Sequence, residues 1–238
     1  MQPHASLLVE MGIALLAIIV AALFAAGCIR VRVSPTSAVL GVATWLALTG
    51  GLAASGVLAL FELRPPPFAV LFVALLALAV TVAFSSLGRR LAFGLPLWVL
   101  IAAQSFRLPL ELVMHEAARE GVMPVQMSYS GWNFDIVTGS TAIVVAWLAA
   151  SGRAPRWLVL GWNVLGSVLL LNIITIAVVS IPMIHAFGTE PSRLNTWVAW
   201  FPFVWLPAVL VVAALIGHLL IFRRLFAREG WCRNEQYR

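Results

Sequence analysis

The chain has 238 residues, of which 62% are hydrophobic and only 10% are charged, and its mean hydropathy is +1.01. Soluble domains are closer to about 45–50% apolar and about 25% charged. A soluble core of this size cannot enclose so many apolar side chains, so the composition indicates a protein dissolved in lipid. The long apolar runs lack the alternation of a strand, which excludes an outer-membrane barrel.

The formal charge of +6 comes from fifteen arginines, without any lysine. These arginines form short pairs between apolar runs and not a continuous stripe, which is typical of a topology signal and not of a nucleic-acid-binding surface. The lack of lysine excludes retinal as a cofactor, because retinal is held as a Schiff base on a lysine. The two cysteines, Cys28 and Cys232, are too few for a thiolate zinc cluster.

Seven apolar segments approach or exceed the length of about 20 residues that a spanning helix needs. They are Ser6–Cys28, Ser37–Phe61, Pro67–Leu87, Leu91–Ala117, Phe134–Ser151, Arg156–Met183 and Thr196–Phe226. Polar turns and prolines separate the segments, and no internal repeat favours an inverted-repeat transporter. We therefore predict one transmembrane domain over residues 1–238, an all-α bundle of about seven helices.

Every second predicted loop is basic. Arginine pairs lie at the ends of the first, third, fifth and seventh segments, at Arg30 and Arg32, Arg89 and Arg90, Arg153 and Arg156, and Arg223 and Arg224. The opposite loops contain fewer arginines and several glutamates, so the positive-inside rule predicts an external N-terminus and a cytoplasmic C-terminus. A chain rich in alanine and arginine but without lysine is typical of a GC-rich bacterial genome, so we expect the bacterial inner membrane. Both cysteines then lie near the reducing cytoplasmic side, and no disulfide is expected.

The fourth segment carries an unusual polar stripe. Gln104, Arg107, Glu111 and His115 follow one another at helical spacing and share one slowly drifting face. Arg107 lies about 24 Å along this segment, inside a hydrocarbon layer of about 30 Å. An arginine at that depth costs about 2.5–3.5 kcal/mol unless it is paired or faces water. We predict that Glu111 is its partner and that Pro109 bends the helix between them.

The loop after this segment ends in Asn133 and Asp135, at the start of the fifth helix. Either residue is a suitable N-cap, because a side-chain oxygen can accept hydrogen bonds from the first turn. The alternative is that Asp135 faces Arg107 or His115 across the mouth of the bundle.

The seventh segment opens with tryptophans, phenylalanines and two prolines. Trp205 lies deep in this segment, and the nearby prolines indicate a bent helix that borders a cavity. Near the other end of the segment, His218 is interpreted as an interfacial histidine next to Arg223.

Four side chains of the predicted outer half are candidate metal ligands, namely His115, His185, Glu111 and Asp135. Two histidines and a carboxylate are able to bind zinc or another divalent ion and to leave a position open for water. The spacing does not match HExxH or a comparable local motif. The alternative is a structural network of hydrogen bonds among arginine, glutamate and histidine, which requires no cofactor.

Two stretches carry a family resemblance. The run from Gln104 to Gly139, with FRLPLELVMHEAAREG and GWNFDIVTG, and the run from FPFVWLP to GHLLIFRRL resemble a family of bacterial multi-pass membrane proteins. The resemblance covers the fourth to seventh helices and implies a membrane bundle, but it implies no activity.

These observations favour an outward-facing polar pocket that binds a small or lipid-like ligand. Arg107, Glu111, His115, Asn133, Asp135 and Trp205 are the predicted ligand-binding residues. One alternative is a metal-dependent hydrolase that acts on a lipid at the outer leaflet, and another is an accessory subunit that packs against other membrane subunits without chemistry. A transporter in which the buried ion pair relays protons is a further class. Membrane lipids are the expected partners in each case.

Overall fold

A computed structural model describes residues 4–227 of the chain, and Cys232 lies outside the described residues. This part of the chain is helical and contains no strand. Its eight helices are α1 (Leu7–Arg30), α2 (Pro35–Ala54), α3 (Pro67–Phe84), α4 (Ser86–Gly94), α5 (Leu97–Arg119), α6 (Ile136–Ala150), α7 (Arg156–Val179) and α8 (Leu206–Phe226). Short 3₁₀ turns lie in the connections at Val57–Ala59, Val125–Met127, Pro191–Arg193 and Trp197–Ala199.

Six of these helices, all except α4 and α6, are long and apolar enough to cross a membrane. This confirms the predicted class of an all-α bundle with membrane-spanning helices. The predicted fifth segment forms the shorter helix α6, which has 15 residues.

Local signals in the sequence set several helix starts. Ser6 accepts a hydrogen bond from the backbone N–H of Val9 at 3.4 Å, and thereby caps α1. α2 and α3 each begin at a proline, Pro35 and Pro67, whose fixed φ suits the first helical position.

The predicted fourth helix, Leu91–Ala117, was wrong at its start. The chain forms the separate helix α4 first, because Ser85 caps it by accepting a hydrogen bond from Gly88 N–H at 3.1 Å. Pro96 then begins a new helix, so α5 starts at Leu97. Arg107 is therefore only about 15 Å from the start of α5, near its middle, and not about 24 Å along the helix as predicted.

Helix α5 also changes its hydrogen bonding ahead of Pro109. Residues Ala103–Phe106 form a 3₁₀ turn, after which the α-helix resumes at Arg107. Proline has no N–H to offer the carbonyl four residues earlier, so a local departure from the α-helix is expected here.

The connection from α5 to α6 folds back into the bundle. Met123, Gln126, Met127, Ser128 and Asn133 are all buried. The connection ends at Asp135, beside Arg107. Arg107 is twelve residues, or about 18 Å, from the end of α5 at Arg119, so the connection returns by about that distance into the bundle. Non-helical backbone at this depth is tolerated because it is buried in protein. We call residues 121–135 the re-entrant connection.

The last helix is the centre of the bundle. α8 packs against α3, α4, α5 and α7, and its first turns also contact α1. The predicted helix Thr196–Phe226 was too long, since regular structure begins at Leu206 with the π-helical stretch Leu206–Val211 and becomes an α-helix at Val212. Pro207 lies in this π-helical stretch, as is common where a proline disturbs a helix.

Candidate functional site

A chain of buried polar side chains crosses the middle of the bundle. We call it the polar network; its members are Arg107 and Glu111 of α5, Asn133 and Asp135 of the re-entrant connection, Asn163 of α7 and His218 of α8. Each of these residues is at most 4% exposed. Buried polar groups in native proteins are hydrogen-bonded, and each member of the polar network contacts another member.

Arg107 is the hub of the polar network. Its Nε donates to Asp135 Oδ2 at 2.6 Å, and its Nη2 donates to the other carboxylate oxygen. This fork-shaped pairing is the strongest kind of arginine–carboxylate contact. The predicted pairing with Glu111 was wrong, because the re-entrant connection brings Asp135 to the guanidinium, and the alternative in which Asp135 faces Arg107 is confirmed.

His218 is the second hydrogen-bond partner of the Arg107 guanidinium. The third nitrogen of the guanidinium, Nη1, lies 2.7 Å from His218 Nε2, and His218 Nδ1 lies 2.8 Å from Asn163 Oδ1. Arginine can only donate, so Nε2 accepts and the proton of a neutral imidazole resides on Nδ1, facing Asn163. The interpretation of His218 as an interfacial histidine was wrong, since the ring is 1% exposed and points to the bundle centre.

Glu111 has a different partner. Both of its carboxylate oxygens lie 2.8 Å from Asn133 Nδ2, which also lies 3.0 Å from the carbonyl of Met127. Asn133 Oδ1 accepts from the N–H of Asp135 at 3.1 Å. Asn133 thus joins the carboxylate of Glu111 to the residue that binds Arg107. Asp135 occupies the N-cap position of α6, but its side chain makes no capping hydrogen bond.

Three glycines allow the helices to approach closely at the polar network and beside it. A Cβ atom added to Gly139 would lie 2.3 Å from the backbone nitrogen of Leu108, one added to Gly166 would lie 2.6 Å from His218 Cε1, and one added to Gly217 would lie 2.0 Å from Gln104 Nε2. Real Cβ atoms do not come so close to other heavy atoms. The small residues are therefore part of the site, as in other closely packed membrane helices, and they were the signal that the sequence interpretation missed.

A cavity of about 310 Å³ lies against the polar network. Its lining is almost entirely apolar, with Arg107, Glu111, Asp135 and Asn195 as the exceptions among the lining residues. On α7 the lining runs from Leu170 to Val178, a length of about 12 Å at the α-helical rise, and it continues to Ile181 just beyond the helix end. We call this space the main cavity.

The main cavity is open on one side. Its opposite walls include α3 and α7, which both pack against α8 but, within residues 4–227, not closely against each other. Val73 of α3 lines the cavity and is nevertheless 67% exposed. The opening therefore lies between two apolar helices.

Other predicted site residues lie apart from the polar network. His115 Nδ1 is 3.0 Å from Ser128 Oγ, and its ring stacks on Tyr129 with the centroids 4.3 Å apart. Trp205 donates from its indole to the carbonyl of Leu46 at 3.2 Å and is not among the residues that line the main cavity.

The four predicted metal ligands are dispersed in the described part of the chain. Glu111 and Asp135 belong to the polar network, His115 packs on Tyr129, and His185 is exposed with its Nδ1 3.2 Å from the carbonyl of Pro182. Residues 4–227 contain no group of three or more histidine, cysteine, aspartate or glutamate side chains placed to hold a metal ion.

The fold places the chain in the class of helical, multi-pass membrane proteins. No family model matches the sequence, and no curated protein or solved structure shows significant similarity to it. Its function is therefore inferred from the geometry of the site.

Proposed function

We propose that the protein binds a lipid-like ligand in the main cavity and acts as a binding or sensing protein. The observation that carries this proposal is an almost wholly apolar cavity, about 310 Å³ in volume, that ends at a buried arginine–aspartate pair. Ligand sites in proteins have volumes of about 300–1,000 Å³, apolar walls and a few fixed polar groups. The length of about 12 Å along α7 suits part of a hydrocarbon chain.

The polar network supplies the deep end of the cavity. Three N–H groups of Arg107 are used by Asp135 and His218, and the guanidinium has five, so two remain. The carboxylate of Glu111 is held by an amide and not by a cation. In the proposed complex the ligand's hydrocarbon chain lies between α3 and α7, and these groups limit how deeply it enters.

We also propose the predicted topology, with seven passages, an external N-terminus, a cytoplasmic C-terminus and a location in the bacterial inner membrane. The six long helices make six of these passages. The re-entrant connection together with α6 makes the remaining one, which is the fifth in chain order. The lining residues Phe61 and Met183 lie next to loops that this topology places outside, so the main cavity faces outward.

A photoreactive probe tests the ligand proposal. We expect a twelve-carbon alcohol with a mid-chain diazirine to label the cavity faces of α3, α5 and α7 in the purified protein. Ala177→Phe fills the cavity and should lower this labelling about fivefold or more, because overpacking costs about 1–3 kcal/mol. Mass spectrometry of the labelled peptides measures the effect.

Val168→Phe is the matched control, because Val168 lies on the same helix, is 57% exposed and does not line the cavity. It should leave the labelling of the cavity faces unchanged. Equal labelling of the Ala177→Phe variant and the parent protein would remove the proposal.

A non-catalytic accessory subunit is the second candidate, and one observation favours it: the members of the polar network hydrogen-bond to one another. It predicts that the probe labels the cavity no more than the exposed helix faces. A metal-dependent hydrolase would need His115 and His185 to approach Glu111, and metal analysis of the purified protein tests that alternative.

A further inference from the structure

A second apolar cavity of about 310 Å³ lies on the other side of α8. It is a groove between α2 and α3, which do not pack closely against each other in the described residues, and α8 closes it from beneath. The indole of Trp45 donates to the carbonyl of Ala208 at 2.9 Å and fixes α2 to α8 at the deep end. We call this space the α2–α3 groove.

The α2–α3 groove has the dimensions of part of an acyl chain. On α2 its lining extends from Ser37 to Trp45, nine residues that span about 12 Å. The α1 wall runs from Val20 to Cys28, and nearly all the lining is aliphatic or aromatic. At Gly41 the groove is empty, since a Cβ atom added there would meet nothing within 4 Å.

One end of the groove lining lies next in sequence to basic residues. Two residues of the lining, Val33 and Leu87, are one and two positions away from Arg32 and Arg89. Arg90 Nη2 donates to the carbonyl of Val31, which ties α4 to the turn between α1 and α2. The groove therefore ends where these two basic segments meet.

The charges of these arginines are not neutralised within residues 4–227. The guanidinium groups of Arg32 and Arg89 are exposed and have neither an ion pair nor a hydrogen bond to another described residue. Other arginines of the basic ends are occupied by backbone: Arg223 Nη1 donates to the carbonyl of Ala83 at 2.8 Å, and Arg156 Nη2 donates to that of Leu225 at 2.5 Å.

We propose that the α2–α3 groove is a binding site for an anionic phospholipid, separate from the main cavity. One acyl chain lies in the groove, and the phosphate of the headgroup is bound by Arg32 and Arg89, with Arg90 beside them. Guanidinium groups bind phosphate through paired N–H donors, and basic pockets between membrane helices select anionic lipids. The apolar groove and the uncompensated charge at its mouth together match both halves of such a lipid.

Lipid titration followed by native mass spectrometry tests the site. The purified protein in detergent is titrated with phosphatidylglycerol and with phosphatidylcholine of the same chains. We expect the double variant Arg32→Gln/Arg89→Gln to bind phosphatidylglycerol about 30-fold more weakly, at roughly fivefold per arginine, and to bind phosphatidylcholine as before. Gly41→Leu, which fills the groove, should weaken both.

Two matched variants control for charge and for volume. Arg119→Gln/Arg153→Gln makes the same change of charge away from the groove, and Gly161→Leu adds the same side chain where a Cβ atom also meets nothing within 4 Å. Both should bind lipid like the parent protein. Equal affinity of the two double variants for phosphatidylglycerol would overturn the site, and so would lipid binding that Gly41→Leu leaves unchanged. Binding of inorganic phosphate alone as tight as that of phosphatidylglycerol would overturn it as well.

Discussion

Arg107 is the residue on which the centre of the bundle depends. It is 1% exposed, and three of its nitrogens are bound by two side chains from distant parts of the sequence. Removing one partner of a buried ion pair costs about 3–5 kcal/mol, because the other charge stays buried without compensation, whereas replacing both partners by apolar groups is often neutral. A variant that lacks one partner therefore measures the cost of an unpaired buried charge, and a variant that lacks both measures the effect of packing without the charges.

We expect Asp135→Ala to lower the stability of the detergent-solubilised protein by about 3–5 kcal/mol. The double variant Arg107→Met/Asp135→Leu should recover most of this loss, but not all of it, because His218 Nε2 then lacks its donor. Thermal unfolding followed by tryptophan fluorescence measures both.

The surface pair of Arg119 and Glu116 is the control, with side chains that are 67% and 35% exposed. Glu116→Gln should change stability by at most about 1 kcal/mol. An Asp135→Ala variant as stable as Glu116→Gln would show that the buried pair does not hold the bundle together.

The depth of Arg107 in an apolar helix was enough to predict from the sequence that it needs a partner. Its actual partners were harder to predict, because Asp135 is brought close by a connection that folds back into the bundle, and connections of this kind leave no periodic pattern. His218 was misplaced for a related reason: its position near the basic end of the last segment indicated depth but not the face of the helix. The glycines that form the contact surfaces become informative only once the neighbouring helices are known.

At the scale of elements, the re-entrant connection and α6 determine the shape of the site. α6 begins at the depth of Arg107 and then runs against α5, with Gly139 facing the backbone of Leu108. This close approach places Asp135, one residue before α6, within reach of the guanidinium. The separation of the two helices therefore decides whether the ion pair forms.

Gly139→Ala should separate α6 from α5, because the added Cβ atom would lie 2.3 Å from Leu108 N and the obstacle is backbone. We expect a loss of several kcal/mol and poor recovery of folded protein, since overpacking of this kind costs about 1–3 kcal/mol even where side chains can adjust. Size-exclusion chromatography and thermal unfolding measure the effect.

Gly161→Ala is the matched variant on α7, where the added Cβ atom meets nothing within 4 Å. Alanine is favoured over glycine in a helix interior by up to about 1 kcal/mol, so this variant should be as stable as the parent or slightly more stable. If both alanine variants behaved alike, the close approach at Gly139 would not be needed.

At the scale of the whole molecule, two apolar cavities lie on different sides of α8. The main cavity is bordered by loops that the proposed topology places outside, and the lining of the α2–α3 groove ends at Val33 and Leu87, next in sequence to arginines that it places in the cytoplasm. The helical membrane class was predictable from composition and run length alone. The short helix α4 was not, because a length criterion does not register where a proline interrupts an apolar run.

Labelling with a membrane-impermeant maleimide tests the topology. In a background with Cys28→Ala and Cys232→Ser, we expect Ser192→Cys to react in intact bacterial spheroplasts and Ser151→Cys to react only after permeabilisation. Glu62→Cys should behave like Ser192→Cys. The reverse pattern, or labelling of all three from one side, would contradict the proposed orientation.

The polar network also constrains the order in which the bundle is assembled. Arg107 enters the membrane during synthesis 28 residues before Asp135 and 111 residues before His218. Until those residues arrive, the nascent chain carries an unshielded guanidinium that favours water or the protein-conducting channel over lipid. The centre of the molecule can therefore close only when its final helix has been inserted.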